Sequence, residues 1–258
     1  MKALERGIWW EVRDPFRHFE AADVLDEEAY RSVATSFQKI LDATDSGGPA
    51  EHRLAQSTSN YDARMLSLQG DLVHSFAPFL TEEWLRSLAA LYELPFLARV
   101  DAALHSSPRN SRTGWVHTDF CSAWFDEGRK IFPGELLFPD RSRCNYFEGT
   151  AKTADAKPVE YIRALTMIFY LCNNEWKAGD GGETGLYSTA KPTPESMKTL
   201  LPPINNRLLL FECSPHSYHR FIANPGRVRN SLILWLHSTV ESTESQWGTG
   251  TVRRRGAK

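Results

Sequence analysis

The run ALTMIFYL at residues 164–171 decides the class of fold. It is short, rich in β-branched and aromatic residues, and bounded by polar turn residues, which is typical of a strand. The runs RLLLFEC at 207–213 and SLILWLHS at 231–238 have the same character. The sequences GDGG at 179–182 and NPG at 224–226 supply turns between them. The second half of the chain is therefore predicted to form an antiparallel sheet.

Helices are predicted mainly ahead of this sheet. Residues 26–42 place apolar side chains at helical spacing behind an acidic first turn, and residues 81–94 begin with a threonine N-cap and two glutamates. A short helix is predicted at 194–201, because proline stands at its first position. Residues 98–107 are a further strand candidate. This order of helices followed by strands predicts an antiparallel barrel or sandwich with helices packed outside it.

Composition excludes several classes of protein. The chain has 258 residues, 41% of them hydrophobic, which predicts one globular domain with a real core. Its formal charge of −2 argues against nucleic-acid binding through a basic field. There is neither an apolar run long enough for a membrane span nor a secretory signal. Four widely spaced cysteines favour reduced thiols. We expect a cytoplasmic protein without nucleic-acid or membrane partners, and leave its oligomeric state open.

The single domain is predicted to have three parts and one insertion. Residues 1–97 form an N-terminal support of helices and strands, 98–238 form the core, and 239–258 form a tail. The stretch 120–159 lies between two strands and is long and patternless, which indicates a lid-like functional loop. Its polar residues, Arg141 among them, either meet a polar or anionic substrate or belong to a solvated loop.

The sharpest chemical signal is GWVHTD at 114–119. Since side chains alternate along a strand, His117 and Asp119 point the same way and make two-thirds of a facial metal site. An HxD triplet is weak evidence alone, since a solvated pair is the simpler explanation. By the same parity, Trp115 faces the interior as a core or substrate-wall residue.

A third ligand is sought in SPHSYHRFIANPGRVRN at 214–230. His216 and His219 are three positions apart, so on a regular strand only one faces the interior. A hairpin about residues 224–226 is predicted to bring His219 across from Arg229. An interior arginine needs an anionic partner, and the carboxylate of a co-substrate is a natural one.

Two histidines and one carboxylate leave open positions on a bound metal. That is the facial triad of non-haem Fe(II) oxygenases. Zinc is the alternative, but it would not account for Arg229 at its spacing.

The chain resembles the 2-oxoglutarate- and Fe(II)-dependent oxygenases, in their prolyl-4-hydroxylase-like branch. Three pieces carry the resemblance in the family's order: GWVHTD at 114–119, RALTMIFYLCNNEWKAGDGGETGLY at 163–187 and HRFIANPGRVRNSLILW at 219–235. The resemblance implies a mainly β fold with flanking helices and a double-stranded β-helix core, the cupin-like jelly roll.

The resemblance also implies roles for individual residues. The implied iron ligands and catalytic residues are His117, Asp119 and His219. The implied 2-oxoglutarate pocket consists of Arg229 and Tyr170 on the distal carboxylate, with Ser231 assisting and Trp235 as a wall. The candidate substrate contacts are His105, Trp115, Asn145 and Tyr146.

The implied cofactors are Fe(II), 2-oxoglutarate and O2, with ascorbate as reductant. The implied reaction hydroxylates an unactivated C–H bond and converts 2-oxoglutarate to succinate. Because Asp119 is retained, hydroxylation is favoured over halogenation. We expect a small-molecule substrate such as an amino acid or a natural-product intermediate. The alternatives are a prolyl-type hydroxylase of peptides or proteins and a non-catalytic metabolite-binding barrel.

Overall fold

The computed structural model describes residues 4, 7–58, 61–128, 132, 134–193, 195–252 and 254. The strands are β1 (Ile8–Val12), β2 (His18–Ala22), β3 (Ala55–Thr58), β4 (Tyr61–Ser67), β5 (Val100–Ser107), β6 (Ser122–Asp126), β7 (Pro158–Tyr170), β8 (Thr184–Tyr187), β9 (Met197–Leu201), β10 (Arg207–Glu212), β11 (Tyr218–Phe221) and β12 (Arg229–Thr239). The helices are α1 (Glu27–Asp45), α2 (Leu72–Ser75), α3 (Glu82–Ala90) and α4 (Val240–Trp247).

The strands form two antiparallel sheets. The larger has the order β1-β2-β10-β7-β12-β5-β4-β3, with β6 paired to β7, and the smaller has the order β11-β8-β9. Ile168 and Leu209 of the larger sheet pack with Leu186 and Leu201 of the smaller in one buried cluster. The sheets therefore enclose an interior, and the fold is mainly β with a jelly-roll core, as predicted.

The helices cover the outer face of the larger sheet. α1 begins at Asp26, whose side chain accepts a hydrogen bond from the Ala29 amide, and it buries Val33, Phe37 and Ile40 at helical spacing. α3 begins after Thr81, which caps the Trp84 amide. Both helices pack against alternate residues of β5, β7 and β12, which are Ala102, Leu104, Leu165, Met167, Phe169, Leu232, Leu234 and Leu236. The other residues of these strands face the interior and are free to build a site.

Three local predictions were wrong. The stretch predicted as a helix at 194–201 contains strand β9, which pairs with β8, while residue 194 lies outside the described residues. The patternless stretch 120–159 contains strand β6, which pairs with the start of β7. β11 pairs with β8 rather than folding back on β12, so residues 222–228 cross from one sheet to the other. In each case pairing with another strand decides the structure, and for β6 and β11 that strand is distant in sequence.

Two further features follow from the chain. The region after β12 continues into α4, with Thr239 as its N-cap. Within the described ranges, we find no helix that combines the length and the apolar character needed to cross a bilayer.

The GDGG turn ahead of β8 needs its glycines for different reasons. Gly179 and Gly181 both have positive φ, at 94° and 75°. A Cβ on Gly181 would overlap the carbonyl oxygen of Ala223, whereas a Cβ on Gly179 would meet no atom within 4 Å. The turn is thus packed against the crossing segment that leads from β11 to β12.

We predict that Gly181→Ala destabilises the protein more than Gly179→Ala. Both variants incur the strain of a non-glycine residue at positive φ, about 1 kcal/mol, but only Gly181→Ala adds a backbone clash. Thermal unfolding should show Gly181→Ala melting several degrees below Gly179→Ala. Equal melting temperatures would contradict the close packing at Gly181.

Candidate metal and co-substrate site

His117, Asp119 and His219 meet at one edge of the interior. His117 and His219 exchange backbone hydrogen bonds across an isolated bridge, with N–O distances of 3.0 and 2.9 Å. Asp119 and His219 are buried, and one ligand atom from each of the three residues lies within 4.8 Å of the others. The structure thus brings together the three residues that the resemblance implied as ligands.

The ring orientation of both histidines suits a metal. His117 Nδ1 is 3.0 Å from the Trp115 carbonyl and His219 Nδ1 is 3.0 Å from the Ser217 carbonyl. A carbonyl only accepts, so each Nδ1 carries the proton and each Nε2 presents a lone pair. Both Nε2 atoms lie 3.8 Å from an oxygen of Asp119. Burial lowers the pKa of His219 to about 4, so its ring is neutral near pH 7.

Asp119 is held by donors from two strands of the larger sheet. Its Oδ2 accepts hydrogen bonds from Trp235 Nε1 at 2.8 Å and from Thr166 Oγ1 at 2.9 Å. Its Oδ1 lies 3.6 Å from Nη1 of Arg163. Burial raises the pKa of Asp119, but His219, Arg163, His117 and the Trp235 hydrogen bond outweigh burial and hold that pKa below its ordinary value. The carboxylate is ionised and oriented, with Oδ1 left to coordinate.

Arg163 is itself fixed by a second group of side chains. Its guanidinium carbon lies 3.9 Å from the centre of the Trp235 ring, and its Nε donates to Tyr146 Oη at 3.3 Å. Tyr146 in turn donates to His237 Nε2, because His237 Nδ1 donates to the carbonyl of Arg99. Burial lowers the pKa of His237 to about 3 and keeps this ring neutral. A chain of hydrogen bonds thus runs from β12 to the metal cluster.

At the other end of the interior, Arg229 is buried among hydroxyl groups. Its Nη1 donates to Ser231 Oγ at 3.1 Å and its Nη2 to Thr184 Oγ1 at 3.2 Å. Tyr170 Oη lies 2.7 Å from the same Thr184 oxygen. Among the described residues, no carboxylate lies within ion-pair distance of Arg229, and its Nε has no acceptor. A buried guanidinium without a counter-ion is costly, so this group of residues suits an anionic ligand.

The donor set therefore fits a divalent metal, and the Arg229 group fits a carboxylate behind it. A family model described as the 2OG-Fe(II) oxygenase superfamily matches residues 142–237. This range contains Tyr170, His219 and Arg229. This part of the chain is therefore similar to the 2-oxoglutarate/Fe(II) oxygenases. Enzymes of this family use Fe(II), 2-oxoglutarate and O2.

Solved structures show the same fold as this chain. A Pseudomonas putida prolyl-4-hydroxylase matches with a TM-score of 0.54 and 13% identity, over 91% of this chain and 95% of that one. The viral collagen prolyl hydroxylase of Paramecium bursaria Chlorella virus-1 matches with a TM-score of 0.51 and 12% identity, over 88% of this chain and 99% of the other. The chain thus has a prolyl-4-hydroxylase-like fold.

The four candidate substrate contacts differ in their surroundings. His105 lies on the inner face of β5, opposite Ser231, with its ring centre 6.3 Å from that of Trp235. Burial, with the Arg229 charge second, lowers the pKa of His105 to about 4, and its Nε2 has no partner among the described residues. Trp115 is 56% exposed rather than interior, and its ring centre lies 6.4 Å from that of His117. Both residues remain candidates.

Asn145 and Tyr146 have local structural tasks instead. The Asn145 side chain bonds within its own turn, to the Phe147 amide and the Glu148 carboxylate. Tyr146 is 2% exposed and supports Arg163 from behind. The structure supports neither residue as a substrate contact.

Trp235 differs from its expected role, because it orients Asp119 as well as lining the interior. Sequence reasoning also missed Arg163, Thr166 and Thr184 as functional residues. All three lie within the quoted stretch RALTMIFYLCNNEWKAGDGGETGLY. The roles of Arg163 and Thr166 follow from the register of β7 against β12, and that of Thr184 from the way β8 of the smaller sheet faces them. The predicted exposure of His216 is observed, although it precedes β11 in a turn and strand parity does not apply to it.

We predict that Trp235→Phe weakens metal binding about tenfold, because it removes the indole donor that orients Asp119 Oδ2. Anaerobic titration of Fe(II), or of Mn(II) as a probe, measures this affinity.

Trp84→Phe is the matched control. The Trp84 ring lies in the helix-side core, and its Nε1 has no acceptor among the described residues. This variant should bind metal as the native protein does. Equal metal affinity for the native protein and Trp235→Phe would show that the hydrogen bond has no influence on the site.

Proposed function

We propose that the protein hydroxylates an unactivated C–H bond of a small molecule, with iron held by His117, Asp119 and His219. The observation that supports this is the convergence of two Nε2 lone pairs and one oriented carboxylate within 4.8 Å. Two histidines and one carboxylate leave open positions on the metal for a co-substrate and O2.

A bound Fe(II) would activate O2, with 2-oxoglutarate as the co-substrate that is oxidised to succinate and carbon dioxide, so that one oxygen atom goes to succinate and the other to the substrate. The protein's own residues provide binding and orientation. Arg229, Thr184 and Tyr170 bind the distal carboxylate of 2-oxoglutarate, and Ser231 holds Arg229 in place. Asp119 stays ionised through its three donors.

The apolar part of the interior excludes water. Ile168, Leu209 and Phe211 lie between the two sheets, and the Phe211 ring centre is 4.8 Å from that of His219. A dry interior protects the reaction from side reactions with solvent.

A small substrate is favoured by the tethered segment 127–157. Arg143 pairs with Asp126 and Asp155, and Arg141 pairs with Asp101 of β5. Both ties lead to strands of the larger sheet, and a segment held at two such places suits an enclosed pocket better than an open groove. We propose the stretch 120–159 as the insertion that closes over the substrate, within a single domain whose core spans 98–238.

A peptide substrate is the second candidate. It is favoured by the likeness in fold to a prolyl-4-hydroxylase and to a viral collagen prolyl hydroxylase. The complete set of ligand residues argues against a non-catalytic metabolite-binding barrel. The four cysteines are free thiols, which supports the proposal of a reducing, cytoplasmic location.

We predict that His219→Ala and Asp119→Ala abolish the Fe(II)-dependent conversion of 2-oxoglutarate to succinate, since each removes a ligand. His216→Ala is the matched control, since His216 is exposed and only three positions away, and it should retain native turnover. Succinate formation with ascorbate present measures all three. Loss of turnover in His216→Ala with retention in His219→Ala would refute the proposed ligand set.

We predict that Arg229→Ala raises the KM for 2-oxoglutarate at least about thirtyfold, because a buried ionic hydrogen bond to a carboxylate is worth about 2 kcal/mol or more. Metal affinity should be retained.

The control for Arg229 is Arg227→Ala, two residues earlier, which loses only a partly exposed ion pair with Asp180. Its KM should be close to native. An unchanged KM in Arg229→Ala would place the co-substrate elsewhere.

A further inference from the structure

Arg141 reaches the metal end of the interior through a chain of alternating charges. Its Nη2 contacts both carboxylate oxygens of Asp101, at 3.2 and 3.1 Å. Asp101 is 2% exposed and faces Trp235 in the register of β5 and β12. Nη2 of Arg163 lies 3.9 Å from the same aspartate, and its Nη1 lies 3.6 Å from Asp119. One carboxylate and one guanidinium therefore stand between Arg141 and the proposed iron ligand.

The charges around the site do not cancel. The groups described above are Arg141, Arg163 and Arg229 against Asp101 and Asp119. The sum is one positive charge. Bound Fe(II) and the dianion of 2-oxoglutarate cancel each other, so the excess remains in the loaded site. The Arg141 side chain is 29% exposed, so solvent screens part of this excess, and a ligand of opposite charge would offset the remainder.

The unused donor at the metal end belongs to Arg141. Its Nη1 is buried and has no acceptor among the described residues. Arg163 differs, because its Nε, Nη1 and Nη2 each face an oxygen of Tyr146, Asp119 or Asp101. The Arg141 guanidinium is held by Nη2 on Asp101 and by the Tyr146 ring, whose centre lies 4.8 Å from the guanidinium carbon, so Nη1 is the donor left for a further oxyanion.

Anchoring of the segment does not by itself require Arg141. Arg143 already fixes the segment through Asp126 and Asp155, and Lys152 Nζ donates to the main-chain carbonyl of Arg141 at 2.6 Å. Asp101 also has Arg163 as a nearby cation. A second arginine on Asp101 is therefore more than loop attachment needs.

We propose that Arg141 binds a carboxylate of the substrate, and that the substrate is a small carboxylic acid. This proposal rests on the proposed function and narrows it to one class of substrate. The carboxylate would accept a hydrogen bond from Nη1 of Arg141, and the C–H bond to be hydroxylated would lie between Arg141 and the metal ligands. Arg229 then serves the co-substrate and Arg141 serves the substrate.

The test uses the full chain with Fe(II), ascorbate and 2-oxoglutarate. The probes are the twenty free L-amino acids, their primary amides, and a prolyl peptide that is acetylated, amidated and without acidic side chains. Succinate formation and gain of one oxygen atom by mass spectrometry are measured. We expect at least one free acid to stimulate turnover and its amide to be at least about tenfold weaker, the value of a charge-assisted hydrogen bond.

Variants test the role of Arg141 itself. Arg141→Gln should raise the KM for the acid and bring the ratio of acid to amide towards one, while Arg141→Lys should restore part of the preference. Lys152→Met, which removes a tether from the same residue's main chain, should keep the native ratio. Thermal unfolding confirms that each variant is folded.

The outcomes separate the two proposals. Four results would each overturn the role of Arg141. They are stimulation by acids and amides alike, stimulation by the capped peptide alone, stimulation by none of the probes, and a native ratio of acid to amide in Arg141→Gln. In those cases basal conversion of 2-oxoglutarate by the native protein would leave the oxygenase function standing. Absence of any 2-oxoglutarate conversion would overturn the proposed function itself.

Discussion

The structure depends on one buried negative charge, the carboxylate of Asp119. Its burial is tolerated because β12 supplies the Trp235 indole N–H, β7 supplies the Thr166 hydroxyl, and Arg163 supplies a cation. The Thr166 proton is committed to Asp119, so Cys213, whose Sγ lies 3.1 Å away, acts as donor to Thr166. The result is a rigid anion between two imidazoles whose lone pairs are already oriented. Metal affinity is thus prepared by hydrogen bonds that belong to the sheet.

The interior has two cationic ends with different partners. Arg229 is surrounded by hydroxyl groups and has no anionic neighbour among the described residues, which suits reversible capture of a dianion. Arg163 is surrounded by aromatic rings and faces two aspartates, which suits a permanent structural role. The two arginines are therefore not equivalent, although both lie on inner faces of central strands. The hydroxyl group of Thr184 connects the first end to the smaller sheet, since it contacts both Arg229 and Tyr170.

Features that depend on local sequence were predictable, and features that depend on distant pairing were not. Caps and apolar spacing predicted α1 and α3, and strand character predicted the cores of β7, β10 and β12. The hairpin between β11 and β12 was wrong, because a Pro-Gly turn also suits a crossing between sheets. Arg229 still reaches the interior, because the two sheets face each other there. Arg163 was missed because its importance comes from Trp235 and Asp119, which are 72 and 44 positions away in the sequence.

The sheets and the segment 127–157 contribute different things to the site. The sheets hold His219, the donors to Asp119 and the Arg229 group, while His117 joins them through an isolated bridge to His219. The segment's described residues, 127–128, 132 and 134–157, lie mostly in turns and irregular stretches, yet they are attached through buried or half-buried charges, among them Arg141 on Asp101 and Arg143 on Asp126. A loop can change its contacts without disturbing strand register, so it is the natural place for residues that select a substrate. Arg141 lies in this segment and contacts Asp101, which is fixed in β5. A residue of the loop is thereby held in place by a residue of the sheet.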